Sequence, residues 1–401
     1  MKILYIHQYF STPKQSSALR SYNISMAMLK AGHQVTMVTA SNDPNAKSVS
    51  RCNEDGIDVI YVNNPYSQYF SKIKKVWSFV KFVYKSIKVA SKEKDVDIVY
   101  ATSTPLTIGF VALFLYWYKG WRYVFEVRDL WPEFPIQVGA IRNKAMIWIL
   151  RKLEKKIYDK AEHVVALSPG MAEGVLKTGQ PQSKVSMIPN MSKPDAVFPH
   201  DVPEDAWAKY GIDPTKFNIC HVGSMGVANG LTYITDAAEI LKQKGINDIH
   251  FIMVGDGATK PMLTKIVDEK GLDNVRFIGK FGFYDIKEIL NCCDMSITCF
   301  KNLPILYTNS PNKLFDSLAA ALPIIVNSAG WTKDLVERED CGFYAEVDNP
   351  KDLADKLICY KDDKETLKRW GQNARRLSET TYSRKILSQK VVDVVSSLTL
   401  T

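Results

Sequence analysis

Asn309-Ser310-Pro311-Asn312-Lys313-Leu314-Phe315-Asp316 is the stretch of this chain whose residue types and spacing most clearly suggest chemistry. Ser310 is a good helix N-cap and Pro311 suits the first helical position, so a helix is predicted to begin here. Lys313 then falls in the first turn, where the helix dipole disfavours a cation. An anion held between the lysine and the helix N-terminus resolves that conflict, and a diphosphate fits. Asn312 shares that turn. Asp316 lies about 5 Å further along the axis, where a carboxylate can bind both hydroxyls of a ribose. The competing reading is a plain Lys313–Asp316 helix pair worth a few tenths of a kcal/mol.

Other strand ends carry weaker signals. Val254-Gly255-Asp256-Gly257 closes an apolar run with two glycines, which permit a sharp turn and close approach to a ligand. Gly223 and Gly226, in His221-Val222-Gly223-Ser224-Met225-Gly226, leave a strand for a loop whose amides could face a phosphate, or which is only a tight turn. Phe281 follows Ile278-Gly279-Lys280, where an aromatic could receive a nucleobase or pack on the core. In the first half, Glu126-Val127-Arg128-Asp129-Leu130-Trp131-Pro132-Glu133 ends another strand. Asp129 and Glu133 could orient an acceptor hydroxyl or serve as base, Asp129 being alternatively a helix cap. Trp131 could stack on a sugar ring.

The elements that would position these groups alternate short β-branched runs with helical stretches, and do so twice. The first set is Lys2–Ile6, Gln34–Thr39, Ile57–Val62, Ile98–Ala101, Tyr123–Val127 and His163–Ala166. The second is Phe217–Val222, Ile249–Val254, Val275–Ile278, Met295–Thr298 and Pro323–Val326. Two doubly wound α/β domains are expected, an N-terminal one over 1–192 and a C-terminal one over 193–382. A last helix near 383–401 is expected to cross back onto the first domain. The Pro-, Asn- and Ser-rich run Ile188 to Asp195 is the expected linker, and ligands are expected in a cleft at the strands' carboxyl ends.

Composition narrows the class. The 401 residues are 46% hydrophobic and 24% charged, as soluble globular proteins are. Seven cysteines, two of them adjacent at Cys292 and Cys293, show no metal-ligand spacing and suit a reducing cytoplasm. No signal peptide is expected at the N-terminus, and no metal site or cofactor is expected. The net charge of +9 is unevenly shared: residues 1–200 hold 27 Lys and Arg against 15 Asp and Glu, the remainder 25 against 28. That asymmetry points to an anionic partner for the first half. Ile108 to Tyr118 is too short to span a bilayer and is expected as a buried helix. Between Ser71 and Lys92 there are seven lysines and no acid. Ile73, Val76, Trp77, Val80, Val83, Tyr84 and Ile87 recur at helical spacing and are expected to pack inward. Phe79 and Phe82 would then face anionic lipid among the lysines, unless this is simply a solvated basic helix. Ile147 to Lys160 is a second basic amphipathic run. Nucleic acid is disfavoured, because no binding motif accompanies the charge.

In order, Val254-Gly-Asp-Gly, Phe277-Ile-Gly-Lys, Ser310-Pro-Asn-Lys and Ala319-Ala-Ala-Leu-Pro323 resemble the nucleotide-sugar domain of family 4 glycosyltransferases. Together with Glu126 to Glu133 the likeness is greatest to the bacterial branch that builds capsule and O-antigen repeats, including N-acetyl-fucosamine transferases. The resemblance implies a GT-B fold, two Rossmann-like domains facing across a cleft. It also implies a UDP-sugar donor on the C-terminal domain, retention of anomeric configuration without a metal, and a polyprenyl-diphosphate-linked acceptor. A cytoplasmic protein on the inner face of an anionic membrane follows. Ser16 and Ser17 stand where the family has a Gly-Gly phosphate loop, Arg128 where many relatives carry a sugar-binding histidine, and Asn229 near the place of a family lysine. The family's two glutamates, eight apart, become Thr308 and Asp316, so the first carboxylate is missing. A nucleotide-sugar 2-epimerase and a non-catalytic nucleotide-sugar binder are the alternatives. A dinucleotide dehydrogenase is disfavoured, since no Gly-x-Gly-x-x-Gly follows the first strand.

Overall fold

A computed structural model describes residues 1–398 apart from Lys14, 16–18, Gln68 and Tyr69, so the candidate phosphate loop at Ser16 and Ser17 lies outside the described residues. The chain divides into two units. One comprises Met1–Pro189 with Thr308–Ser310 and the last segment from Lys385; the other comprises Asn190–Tyr307 and Pro311–Arg384.

The first unit is built on eight strands: β1 Lys2–Ile6, β2 Gln34–Ser41, β3 Val49–Glu54, β4 Ile57–Asn63, β5 Ile98–Thr102, β6 Tyr123–Val127, β7 His163–Ala166 and β8 Val185–Met187. They line up as β3-β4-β2-β1-β5-β6-β7-β8. Every pairing is parallel except β3 with β4. The central strands are buried but for Lys2 at the start of β1, as a sheet covered on both faces requires. β3, Val-Ser-Arg-Cys-Asn-Glu, is a polar and largely exposed edge strand with no apolar alternation, which is why the sequence pattern does not reveal it.

The second unit holds β9 Phe217–Val222, β10 Ile249–Val254, β11 Val275–Gly279, β12 Met295–Thr298, β13 Ile324–Val326 and β14 Gly342–Tyr344. All are parallel, in the order β11-β10-β9-β12-β13-β14. β8 and β14 are three residues each, too short for a periodic signal. The expectation of two doubly wound Rossmann-like domains holds, and in such sheets the carboxyl ends of the strands are the functional edge.

Two expectations are overturned. The helix Asn312–Ala319 starts one residue later than the capping reading allows: Pro311 is its N-cap with extended backbone, and a proline side chain has no oxygen to offer, so Ser310 stands outside the cap position. The helix Lys72–Ala90 is turned the other way from the expectation. Ser78, Phe82, Ser86, Val89 and Ala90 are buried, while Ile73, Val76, Trp77, Val80 and Tyr84 lie exposed. The stripe with two serines sits inward because small side chains let the helix approach closely, and Asn64 Nδ2 donates to both the carbonyl and the hydroxyl of Ser78 at 3.1 Å. Phe82 therefore cannot meet lipid, and Phe79 stacks on Tyr66.

The first unit is pinned by a buried ion pair. Glu126, at the end of β6, accepts from Arg20 Nε at 3.1 Å and Nη2 at 2.9 Å, from the Tyr100 hydroxyl at 2.7 Å and from Thr102 at 3.0 Å. Arg20 also donates to the carbonyls of Ile188 and Pro189, tying the helix Arg20–Lys30 to the end of the unit. Despite burial, the guanidinium beside Glu126 holds its carboxyl below the usual range. Removing the carboxylate strands a buried cation and two donors, so Glu126→Ala should lower the stability of this unit by about 3–5 kcal/mol. Urea unfolding followed by tryptophan fluorescence measures it; a loss under about 1 kcal/mol would show that the pair is not structurally important.

Candidate functional site

The helix Asn312–Ala319 is held by its apolar face. Leu314, Phe315 and Leu318 are fully buried against Ile324, Val326, Leu335, Ala374 and Leu377. Gly371 of the helix Lys364–Thr380 lies so close to Ala321 that a Cβ there would come within 2.5 Å of its carbonyl oxygen, and Arg375 donates to the carbonyls of Ala319, Val197 and Pro194. With one face fixed, Lys313 and Asp316 are left on the rim, but they do not pair with each other. Asp316 forms an ion pair with Lys193 at 2.8 Å, and Lys193 Nζ also lies 5.0 Å from the centre of the Phe283 ring. Lys313 turns instead to β9, its Nζ 3.2 Å from His221 Nε2.

This is an unusual place for a charge. Lys313 is half-buried, no carboxylate lies within ion-pair distance among the described residues, and its neighbours are a neutral imidazole and the Cys299 thiol. Burial pulls its ammonium down to about 8, and burial with the lysine's own charge pulls His221 well below the ordinary histidine range. His221 Nε2 is then the acceptor, and the lysine holds a proton it would hold more firmly beside an anion. The first-turn amides of Asn312 and Lys313 point the same way, since no carbonyl precedes them by a turn.

Opposite the lysine lies the loop after β9. Gly223 has φ +134°, a conformation that suits glycine, and a Cβ there would meet the Lys313 side chain at 3.5 Å. Gly255 and Gly257 are required by the packing of this loop. A Cβ on Gly255 would sit 1.9 Å from the Gly223 carbonyl oxygen, and one on Gly257 2.5 Å from that of Met225, so these glycines let two loops touch. The amides of Gly223 and Met225 are spent on Val254 and Asp256, leaving those of Ser224 and Gly226 for a ligand, and Asn229 Nδ2 braces the loop on the Ser224 carbonyl at 2.7 Å. Phe281 is partly buried, its ring edge-on to Tyr210 at 5.4 Å. A cavity of about 400 Å³ elsewhere in this unit, lined by Tyr233, Asp236, Phe300, Lys301 and Asp348, shares no lining residue with this cluster.

In the first unit, Arg128 Nη1 donates to His7 Nε2 at 3.0 Å and its amide bonds Ser103 Oγ at 2.9 Å. The remaining His7 nitrogen, Nδ1, is 2.9 Å from Ser21 Oγ. Burial and the adjacent guanidinium keep this imidazole neutral. Asp129 accepts from Thr104 Oγ1 at 2.8 Å, and burial pushes its carboxyl above the usual range, making it a better base than a solvated aspartate. Trp131 is half-buried with its indole N–H enclosed and unpaired. Glu133 is already engaged by Arg151 at 3.1 Å and Gln137 at 3.0 Å. His7, His221 and Lys193 were not singled out by sequence reasoning; the first two sit inside or beside strands, where a histidine ordinarily reads as core.

Known proteins agree with this architecture. Residues 204–377 match the family "Glycosyl transferases group 1", and residues 18–191 match "Glycosyl transferase 4-like domain". The chain is thus a GT-B glycosyltransferase of group 1 with a family 4-like first half. Among curated relatives, a probable glycosyltransferase, WbjE, of Pseudomonas aeruginosa is 24% identical over 78% of each chain. The UDP-Gal:alpha-D-GlcNAc-diphosphoundecaprenol alpha-1,3-galactosyltransferase of Escherichia coli is 27% identical over 45% of this chain and 46% of its own. Among solved structures, a sucrose-phosphate synthase from Thermosynechococcus elongatus aligns with TM-score 0.80 at 17% identity, covering 99% of this chain and 98% of that one. HepE of Anabaena, solved with UDP and glucose, aligns at 0.72 and 17% identity, covering 99% and 100%.

The protonation of Lys313 makes binding of a diphosphate depend on pH. An anion raises the lysine's pKa, so affinity is fully present below about 8 and is lost as pH climbs above it. Between about pH 7 and pH 9 the affinity for UDP should fall about tenfold in the wild type, and hardly at all in Lys313→Met. Calorimetric titration across that range decides; parallel slopes for both proteins would remove Lys313 from the phosphate site.

Proposed function

We propose that this glycosyltransferase moves a sugar from a UDP-sugar, with retention of anomeric configuration and without a metal, onto a polyprenyl-diphosphate-linked saccharide during synthesis of bacterial capsule or O-antigen repeats. An N-acetylated deoxyamino sugar such as N-acetyl-fucosamine is the proposed donor sugar. The domain of residues 193–382 binds the donor and that of residues 1–192 binds the acceptor. The observation that carries the reading is Lys313, a desolvated cation without a carboxylate at a helix N-terminus on the functional edge of the second sheet. Support comes also from HepE, solved with UDP-glucose, and from the galactosyltransferase named for a diphosphoundecaprenol acceptor.

In such a transfer the bond from the anomeric carbon to the diphosphate oxygen breaks, and the acceptor oxygen bonds to the same face of that carbon. No protein nucleophile is involved. Negative charge grows on the departing diphosphate, and Lys313 with the helix amides stabilises it more in the transition state than in the ground state. The acceptor proton passes to the departing phosphate oxygen or to Asp129, whose raised basicity suits it to the task. Arg128, oriented by neutral His7, contacts sugar or phosphate. Trp131 and Glu133 contribute to the acceptor side, Phe281 to the nucleobase and Asp316 to the ribose.

Purified protein incubated with a panel of UDP-sugars, with and without a lipid-linked acceptor, should release UDP in an acceptor-dependent manner. Sugar interconversion without release would indicate an epimerase, and binding without either a non-catalytic protein. Asp316→Ala should weaken UDP binding by about 1.5–3 kcal/mol, the worth of a hydrogen bond to a charged group. An unchanged dissociation constant in the folded variant would take Asp316 out of the site. Lys313→Ala should lower kcat more than it raises KM. A rise in KM alone, measured under steady state, would reduce the lysine to a donor-binding role.

A further inference from the structure

Three helices of the first unit, Lys72–Ala90, Thr107–Lys119 and Lys144–Lys160, form one layer on its sheet, the middle one packing against both others. Their outer surfaces are unusually apolar. The first presents Ile73, Val76, Trp77, Val80 and Tyr84 as a single stripe at helical spacing, with Trp77 67% exposed. The second adds Phe110, Trp117 and Tyr118, and the third Met146, Trp148 and Ile149, Trp117 being 50% and Trp148 64% exposed. Isolated surface hydrophobes are commonplace, but three adjacent helices each turning tryptophan outward concentrate exposed apolar surface on one layer, as interaction surfaces do.

The charge around the patch is mainly positive: on the third helix Glu154 and Asp159 are outnumbered by Lys144, Arg151, Lys152, Lys155, Lys156 and Lys160. The first and second helices carry no acid, and Lys74, Lys75, Lys81, Lys85 and Lys88 flank the first helix's stripe. On the third, Lys156 reaches across to lie 4.7 Å from the centre of the Trp117 ring, and Lys152 lies 5.9 Å from that of Trp148. Indole at the apolar level with ammonium just above it is how side chains sort at the boundary between hydrocarbon and anionic headgroups. Position matters as well. Each helix begins after a strand's carboxyl end, so Ile73, Val76, Trp77, Phe110, Met146 and Trp148 lie in the helix halves nearest the edge that bears Arg128 and Asp129.

We propose that this three-helix face is a docking surface for an anionic lipid bilayer, with Trp77, Trp117 and Trp148 inserting at the level of the headgroups. Docking there lays the helix face along the bilayer and holds the Arg128 edge beside it, within reach of the diphosphate of a lipid-linked acceptor; this consequence rests on the function proposed above, the docking itself does not. Among the described residues no helix is long and apolar enough to cross a membrane, so attachment through this face is peripheral.

The test is co-sedimentation of the full chain with vesicles of phosphatidylglycerol and phosphatidylcholine in equal parts, and with phosphatidylcholine alone. Wild-type protein should pellet with the anionic vesicles at low salt and be released at about 1 M salt, where the Debye length falls to about 3 Å. Trp77→Ser, Trp117→Ser and Trp148→Ser combined should reduce partitioning about tenfold or more. Replacing Lys74, Lys75, Lys81 and Lys85 by Gln should abolish the preference for anionic lipid. UDP titration of the same variants should be unchanged, which establishes that they are folded and separates failure of docking from failure of the donor site. Wild-type protein that stays in the supernatant at low salt, or a triple tryptophan variant that pellets like wild type, would overturn the proposal. So would a dimer that the tryptophan variant dissolves, seen by sedimentation velocity without vesicle binding, since the patch would then face a second copy.

Discussion

A half-buried lysine with no carboxylate in reach among the described residues governs the electrostatics of the second unit. Burying an ammonium costs free energy unless it is paired, and placing it in the first turn of a helix adds repulsion from the dipole. The fold keeps Lys313 there because the opposite face of its helix is committed: Leu314, Phe315 and Leu318 are enclosed, and Gly371 and Arg375 clamp the turn that follows. Neutral His221 accepts a hydrogen bond without cancelling the charge. The result is a positive potential at the carboxyl edge of a parallel sheet, held by a lysine whose proton an arriving anion would secure.

The first unit shows the contrasting arrangement with the same architecture. At the end of β6 Glu126 and Arg20 are both fully buried, yet each is saturated by partners, so the pair holds the unit together and offers nothing to a ligand. Two residues later the chain emerges with Arg128 and Asp129, which are oriented but not neutralised by His7, Ser103 and Thr104. The step from a saturated ion pair to partly satisfied groups within three residues marks where structure ends and chemistry begins.

Much of this was legible in the sequence because parallel strands buried on both faces read as continuous apolar runs, and because a cation in a helix's first turn is locally costly. β1, β6, β7, β9, β10 and β12 have the predicted limits. What sequence could not supply was partner choice across the fold. Asp316 sits three residues from Lys313, so local spacing pairs them, but Lys193, 123 positions upstream, takes the carboxylate and His221 takes the lysine. Likewise local sequence explains two glycines at Gly255 and Gly257 by a turn, and does not show that the backbone of residues 223–225 packs against them.

The orientation of the helix Lys72–Ala90 shows why amphipathic periodicity alone misleads when both faces carry hydrophobes. Its larger stripe, with Trp77 and Tyr84, has the greater gain from burial by area, yet the stripe with Ser78, Phe82 and Ser86 is the one buried. Packing on a sheet selects for close approach as well as apolar area: the serines admit the backbone, and the Asn64 side chain fastens onto Ser78. The cost is a large apolar surface left in water, which a freely soluble protein would gain stability and solubility by replacing with polar residues. Its persistence beside five lysines and no acid, together with tryptophans on both neighbouring helices, is accounted for if the outer surface has a partner whose interior is apolar and whose rim is anionic.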